Sequence, residues 1–213
     1  ITLKCIIIAA GEIKDYSLHQ KYIDDQDCII CADAGARHAL AMGKTPDYLL
    51  GDFDSLDGKL LETLENMDNP PELIKFPANK DKTDTHLAVE FALTMNPEKI
   101  VIMGGTGSRL DHTLANITLL AVFPDAPILI VNDNNELFLI TDSTELYGEP
   151  GERISLLPMT PIVKGVTLRG LKWPLVDHTI EMGDSLGISN EIIQRNAGVS
   201  LTEGKLLVIR SRD

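Results

Sequence analysis

Short apolar runs alternate with amphipathic segments over the first two-thirds of the chain. Five runs have the length and apolar content of buried β-strands, and they lie at residues 5–10, 28–32, 48–50, 99–103 and 128–131. Helical periodicity covers residues 35–42, 57–66, 85–95 and 111–122. This alternation predicts a Rossmann-like α/β domain, with a mostly parallel sheet covered by helices.

The pattern changes after about Asn132. Short alternating segments then follow one another, separated by glycine-containing turns, at residues 136–141, 153–158, 165–168, 179–182 and 206–210. No long helical period occurs among them, which predicts a small antiparallel β-sandwich or barrel. We therefore expect two domains, residues 1–132 and residues 133–213.

Charge limits the partners of the 213-residue chain. It carries 32 acidic and 19 basic residues, a formal net charge of −13. Such a surface repels nucleic-acid phosphates and anionic lipid, so neither nucleic acid nor a membrane is an expected partner. The longest apolar run, residues 5–10, is also too short to cross a bilayer. ATP is not excluded, because a divalent cation can invert the local field.

The three cysteines, Cys5, Cys28 and Cys31, favour a reducing compartment. Cys28 and Cys31 have the spacing of a redox motif, but the two isoleucines between them indicate a buried strand. Residues three apart on a strand point to opposite faces, which is poor geometry for a disulfide or a shared metal. We expect inert core cysteines in a cytoplasmic protein.

The strongest candidate for chemistry is the Gly-Asp-Phe-Asp-Ser motif at residues 51–55, directly after the apolar run 48–50. In an open α/β sheet, ligands bind beyond the carboxyl ends of the strands. Asp52 and Asp54 at such an end suit Mg²⁺, which prefers one or two carboxylates together with phosphate oxygens and water. The alternative is a solvated turn, since Gly, Asp and Ser favour turns for local reasons.

A second polar segment, residues 79–85, leads into the third predicted helix. In a first helical turn, Asp81 and Asp84 would lie on neighbouring positions, where they could also complement the helix dipole or cap its amides. Lys80 and Lys82 add positive charges that can meet phosphate. Two aspartate clusters with interleaved lysines together indicate a metal–phosphate site.

A glycine-rich segment, residues 104–112, follows the run 99–103. Closely spaced glycines let backbone amides approach an anion, and Arg109 can grip a phosphate with two hydrogen bonds. The segment is not a P-loop, because the Gly-Lys-Ser/Thr ending is missing, and it lacks the third glycine of the dinucleotide fingerprint. Asp111 and His112 follow, and His112 is either a general base or a structural hydrogen-bonding residue.

Trp173, the only tryptophan, lies between a glycine and a proline in the final third of the chain. It is either a core plug or a flat platform that stacks on a ring or faces a cation. Local sequence does not separate these two interpretations.

Taken in order, these motifs resemble those of bacterial thiamine pyrophosphokinases. The matching segments are residues 51–55, 80–84, 104–112, 170–175 and 189–191, and the likeness extends from residue 32 to the carboxyl end. The resemblance implies an α/β domain that binds ATP and Mg²⁺, followed by a β-sandwich domain that binds thiamine and forms a homodimer. It implies transfer of the β,γ-diphosphate of ATP to the thiamine hydroxyl, with release of AMP and with thiamine bound near the subunit interface.

The same resemblance implies roles for the matched residues. Mg²⁺ would be held by Asp52, Asp54 and Asp84. The nucleotide phosphates would lie near Lys80, Asp81, Thr83, Gly105, Thr106, Arg109 and His112, with Asp111 helping to arrange the site. Ser189 and Asn190 would meet thiamine, and Trp173 would reach it across the dimer.

Two other functions fit part of the pattern. A related enzyme could transfer diphosphate to a different alcohol, such as a pterin, with a similar acidic site and glycine-rich loop. A nucleotide or thiamine sensor could keep the fold, but it would be expected to have lost the metal carboxylates. Asp52, Asp54 and Asp84 are all present, which favours the enzyme.

Overall fold

The computed structural model describes residues 2–53, 56–77 and 81–212. They divide into two compact units. The first contains the described residues up to Leu119 together with Ala126–Asp133, and the second contains Leu120–Asp125 and the described residues from Asn134 onward. Among the described residues, no helix has the length and apolar character needed to cross a membrane.

The first unit is built on a six-stranded parallel sheet. Its strands are β1 (Lys4–Ile8), β2 (Cys28–Ala32), β3 (Tyr48–Gly51), β4 (Glu72–Lys75), β5 (Lys99–Met103) and β6 (Ile128–Val131). They lie in the order β4-β3-β2-β1-β5-β6. The chain order reverses between β1 and β5, and such reversals are where open α/β sheets bind ligands.

Helices cover this sheet because the strands are apolar on both faces. The helices are α1 (Tyr16–Gln20), α2 (Ala36–Ala41), α3 (Gly58–Glu65), α4 (Asp84–Leu93) and α5 (Leu110–Val122). Residues of α2 and α3 share a buried cluster with alternate residues of β1, among them Ile6 and Ile8. The helix α4 packs against β1, β2 and β3. In this unit the sequence did not predict α1, a short helix of five residues, or β4, an edge strand that is mostly exposed.

The start of α4 corrects one local expectation. The helix begins at Asp84, and the Thr83 hydroxyl caps it by accepting a hydrogen bond from the His86 amide at 3.2 Å. Asp81 therefore lies before the helix and does not share its first turn with Asp84. Thr83 takes the N-cap because its side chain satisfies an otherwise unpaired helix amide.

The second unit is an antiparallel β-sandwich. Its strands are β7 (Asn135–Ile140), β8 (Ser143–Tyr147), β9 (Arg153–Pro158), β10 (Ile162–Arg169), β11 (His178–Glu181), β12 (Asn190–Glu191), β13 (Asn196–Ser200) and β14 (Leu206–Ser211). One layer pairs β7, β14, β9 and β12, and the other pairs β11, β10, β13 and β8. Buried residues such as Leu156 and Val208 from the first layer and Val166 and Val199 from the second form one core. The predicted fold class is confirmed.

The cysteines are free thiols, as the sequence predicts. Cys5 and Cys31 are buried, and Cys28 is half-buried. Burial raises the pKa of Cys31, so its thiol stays protonated at neutral pH.

Candidate nucleotide-binding site

A cavity of about 580 Å³ opens at the carboxyl edge of the parallel sheet, where the strand order reverses. Segments that follow β1, β2 and β5, the start of α4 and the first turns of α5 line it. The lining residues are 9–12, 32, 33, 37, 82–85, 104–109, 112, 113 and 116. A cavity of this size and position suits a small ligand such as a nucleotide.

Two loops meet in this cavity through their backbones. The β1 loop, residues 9–12, donates hydrogen bonds of 2.8 Å from Gly11 N to Gly104 O and from Glu12 N to Thr106 O. A Cβ on Gly11 would lie 2.3 Å from the carbonyl oxygens of both Gly104 and Thr106. Gly104 has a φ of +61°, and its own Cβ would lie 2.3 Å from Ala9 O. Only glycine permits this approach at Gly11 and Gly104, and Gly104 is the first glycine of the predicted anion-binding segment.

The helix α5 supports the glycine-rich loop, residues 104–108, from the other side. Thr113 Oγ1 accepts a hydrogen bond from Gly107 N at 3.1 Å. Asn116 is buried and donates from Nδ2 to Gly105 O at 2.7 Å. These contacts fix loop carbonyls and amides to a helix, so the loop is held before any ligand arrives.

Asn116→Leu is expected to lower the free energy of unfolding by roughly 1–3 kcal/mol, because the buried Gly105 carbonyl loses its donor. Urea unfolding measures the change. Thr118→Val is the control: Thr118 is exposed on the same helix and bonds only to carbonyls of its own helix in the contacts observed, so it should shift stability by about 0.5 kcal/mol or less. Equal stability of the two variants would show that Asn116 does not hold the loop.

Arg109 lies at the end of the glycine-rich loop and is paired with Asp111. Arg109 Nε donates to Asp111 Oδ1 at 3.2 Å, and Nη2 donates to Oδ2 at 2.5 Å. The guanidinium lowers the pKa of Asp111 to about 2, so the carboxylate is charged at neutral pH. Both side chains are exposed, and a bound phosphate can therefore compete for the guanidinium. Arg109 and His112, two of the residues predicted to lie near phosphate, line the cavity.

Three aspartates lie at the carboxyl edge of the sheet, two of them directly after strands and one at the start of a helix. Asp84 lines the cavity at the start of α4, and Asp52 follows β3. Asp33 follows β2, lines the cavity and packs against Gly51, whose Cβ would lie 3.4 Å from the Asp33 Cα. Carboxylates are the ligands that Mg²⁺ prefers, so this donor set fits the predicted ion. Within the described ranges, no group of three or more His, Cys, Asp or Glu side chains is already arranged as a metal site.

Two of the predicted site residues, Asp54 and Lys80, lie outside the described residues. Asp81 is exposed ahead of α4, and Thr83 lines the cavity as the N-cap of that helix. Lys82 also lines it, and its Nζ lies 2.6 Å from Glu90 Oε1.

Sequence reasoning did not assign a role to Asp33. Its φ is +48°, an uncommon backbone conformation for a residue other than glycine, and its Oδ1 is buried. Phe53 between Asp52 and Asp54 also has a positive φ, of 65°, and its ring packs on the buried cluster of the first unit. Uncommon backbone conformations of this kind, held in place by packing, are concentrated at functional sites. In the sequence, the position of Asp33 directly after the predicted strand 28–32 was the signal that could have marked it as a site residue.

The predicted thiamine-side residues lie in the second unit. The Trp173 side chain is 54% exposed, which excludes a core plug within the described chain. Asn190 is 2% exposed and clamps the tryptophan backbone: its Oδ1 accepts from Trp173 N at 3.1 Å, and its Nδ2 donates to Trp173 O at 2.8 Å. Ser189 is exposed beside it with a φ of 57°. Lys172 Nζ lies 5.1 Å from the indole ring centroid.

The fold and the cavity define an α/β nucleotide-binding protein with an added β-sandwich unit. Two family models match the chain: "Thiamin pyrophosphokinase, catalytic domain" over residues 19–130 and "Thiamin pyrophosphokinase, vitamin B1 binding domain" over residues 143–206. The chain is 34% identical over 216 residues to the thiamine pyrophosphokinase of Bacillus subtilis, covering 99% of this chain and 100% of that protein.

Solved structures agree. The crystal structure of the Bacillus subtilis thiamine pyrophosphokinase superposes with a TM-score of 0.88 at 32% identity, covering 99% of both chains. The Geobacillus thermodenitrificans structure has a TM-score of 0.87 at 31% identity, covering 99% of this chain and 98% of that one. The chain therefore belongs to the thiamine pyrophosphokinase family. The resemblance inferred from the motifs is confirmed.

Proposed function

We propose that the chain transfers the diphosphate of ATP to the hydroxyl of thiamine, giving thiamine diphosphate and AMP. The observation that carries this proposal is the match to both the catalytic and the vitamin B1 binding models of one family over nearly the whole chain. The cavity at the sheet reversal supports it, because it brings a glycine-rich loop, a guanidinium and carboxylates to one place.

ATP binds with its phosphates in this cavity. Of the residues predicted to lie near the phosphates, five line the cavity: Thr83, Gly105, Thr106, Arg109 and His112. Lys80 and Asp81 would add to this phosphate-binding set, as the family resemblance implies. Asp52, Asp54 and Asp84 would hold Mg²⁺, and the bound ion would supply positive charge that neutralises phosphate and offsets the repulsion between ATP and the carboxylates. The Arg109 guanidinium directs some of its N–H groups to phosphate, and its remaining hydrogen bond to Asp111 orients it.

The reaction is a substitution at the β-phosphorus. The thiamine oxygen forms a bond to it, the bond from that phosphorus to the α,β-bridging oxygen breaks, and AMP leaves with the electron pair. The hydroxyl proton passes to a base or to water. The chain contributes mainly positioning and stabilisation of phosphate charge, through loop amides that are already fixed by α5.

Thiamine is bound by the second unit in a homodimer, with the active site near the subunit interface. Trp173 offers an exposed indole face, which suits the cationic thiazolium ring. Asn190 acts by clamping the Trp173 backbone, and Ser189 lies beside it. Large apolar side chains are exposed in the same region, and they support a second copy of the chain as the partner: Trp173, Val176, Met182, Leu186, Ile188 and Ile193.

The free cysteines support a cytoplasmic location.

ATP labelled at the β-phosphorus tests the reaction. We expect the label in thiamine diphosphate, with one AMP formed per product and formation dependent on both thiamine and Mg²⁺. Transfer of a single phosphoryl group would instead leave the label in ADP, and the proposed function would then be wrong. A pterin alcohol replaces thiamine in a parallel reaction, and faster AMP release with the pterin would identify a different acceptor.

A further inference from the structure

Side chains of two consecutive residues of α2 contact backbone carbonyls of the β1 loop, residues 9–12. Arg37 Nη2 donates to Ala10 O at 3.3 Å, and His38 Nε2 lies 2.8 Å from Gly11 O. Arg37 is exposed, whereas His38 is only 7% exposed. The buried contact is the one to Gly11, the residue whose amide also bonds to the glycine-rich loop.

The partners of His38 determine its tautomer. A carbonyl oxygen only accepts hydrogen bonds, so Nε2 must carry the proton that is donated to Gly11 O. Nδ1 lies 2.9 Å from the Tyr16 hydroxyl of α1 and accepts from it in the neutral ring. Burial lowers the pKa of His38, the Gly11 contact partly opposes this, and the nearby Arg37 and His19 lower it further. The ring is therefore neutral at neutral pH, with both nitrogens paired.

A chain of hydrogen bonds thus runs from Tyr16 to the glycine-rich loop. The Tyr16 hydroxyl bonds to His38, His38 to the Gly11 carbonyl, and the Gly11 amide to Gly104 O. No side chain separates Gly11 from Gly104, and a Cβ at Gly11 would be 2.3 Å from the opposite backbone. Close-packed backbones cannot move independently, so a shift of Gly11 also shifts Gly104 and Thr106.

We propose that His38 is a positioning residue for the nucleotide: by holding the Gly11 carbonyl, it sets the place of the glycine-rich loop that receives the phosphates of ATP. This rests on the proposed function in one respect, that the ligand of the loop is ATP. His38 itself is buried and is not one of the residues that line the cavity, so it acts through Gly11.

Two amide variants test the contact. The side-chain nitrogen of glutamine reaches about as far as Nε2, whereas that of asparagine reaches only about as far as Nδ1. His38→Gln therefore keeps a donor for Gly11 O, and His38→Asn leaves that carbonyl without one. Gln20→Ala is the structural control, because Gln20 Nε2 donates to Met42 O at 2.9 Å and so ties α1 to the end of α2 without touching the β1 loop.

ATP affinity without thiamine, measured by calorimetry, and the KM values for ATP and thiamine are compared. We expect His38→Asn to weaken ATP binding and raise the KM for ATP roughly tenfold, with the KM for thiamine within about twofold of wild type. His38→Gln should recover most of the affinity, and Gln20→Ala should bind ATP like the wild type. If His38→Asn does not fold, His38→Leu is measured in its place.

Three outcomes would overturn the proposal: wild-type ATP affinity in His38→Asn, equal losses in the asparagine and glutamine variants, or the same loss in Gln20→Ala. Each would reduce His38 to a packing residue. Because affinity is measured without turnover, the proposed reaction is judged separately. A wild-type chain that binds ATP but forms no thiamine diphosphate would refute the reaction, while the variants still decide the role of His38.

Discussion

Asp84→Asn is expected to lower kcat/KM for ATP by at least about a hundredfold. A metal carboxylate contributes several kcal/mol of charge stabilisation, and each 1.36 kcal/mol is a factor of ten in rate. Asparagine keeps the volume of the side chain, and the Thr83 cap remains in place. The free energy of unfolding should fall by no more than about 1 kcal/mol, through the lost charge at the start of α4. Steady-state kinetics over a range of Mg²⁺ concentrations measures the effect. The variant should need a higher Mg²⁺ concentration than the wild type to reach half of its maximal rate.

Asp57→Asn is the matched control. Asp57 lies two residues after the Gly-Asp-Phe-Asp-Ser motif and is the N-cap of α3, where its carboxylate accepts a hydrogen bond from Lys59 N at 3.1 Å. Asparagine caps helices about as well as aspartate, so this variant should keep wild-type kinetics. Asp52→Asn should behave like Asp84→Asn. Near-normal turnover of both Asp52→Asn and Asp84→Asn at limiting Mg²⁺ would mean that these carboxylates only serve local structure.

The apolar pattern predicted most of the fold because the strands of the first unit are buried on both faces. Runs such as residues 99–103 are then continuous, and they match β5 residue for residue. The edge strand β4 was not predicted because an exposed strand has no continuous apolar run. In the second unit, β8, β12 and β13 were also not predicted, although β13 is mostly buried. The strand β13 contains Gly198 and a serine, so its composition is not typical of a strand. Its place in the sheet is known only from its pairing with β8 and β10.

The site was predictable where its chemistry is local, and unpredictable where it depends on contacts between distant segments. Glycines 104, 105 and 107, together with Arg109, Asp111 and His112 directly after them, predicted an anion-binding loop from adjacent residues alone. Nothing in the sequence around His38 shows that its ring meets Gly11, 27 positions away, because that contact exists only once β1 and β2 have paired. Asp33 was missed for the same reason: its closeness to Gly51 comes from the pairing of β2 with β3.

Trp173→Ala is expected to raise the KM for thiamine roughly tenfold and to leave the KM for ATP within about twofold of wild type. An indole face over a cation contributes about 0.5–2 kcal/mol, and loss of stacking on the flat pyrimidine ring adds to this. The tryptophan is half exposed and its backbone is held by Asn190, so truncation removes a platform without opening the core. Thermal unfolding is therefore expected to change little, in contrast to the 3–5 kcal/mol typical of a buried tryptophan.

The control for this variant is Tyr147→Ala, which removes another exposed aromatic ring from the same unit, at the end of β8. It should leave the KM for thiamine unchanged, because Tyr147 lies outside the motif segments that resemble the family. Kinetics and unfolding of both variants are measured at the same protein concentration, since loss of the proposed dimer would weaken thiamine binding in either variant. A Trp173→Ala protein that binds thiamine normally and unfolds at a much lower temperature would contradict the platform role, and Trp173 would then stabilise an interface between subunits.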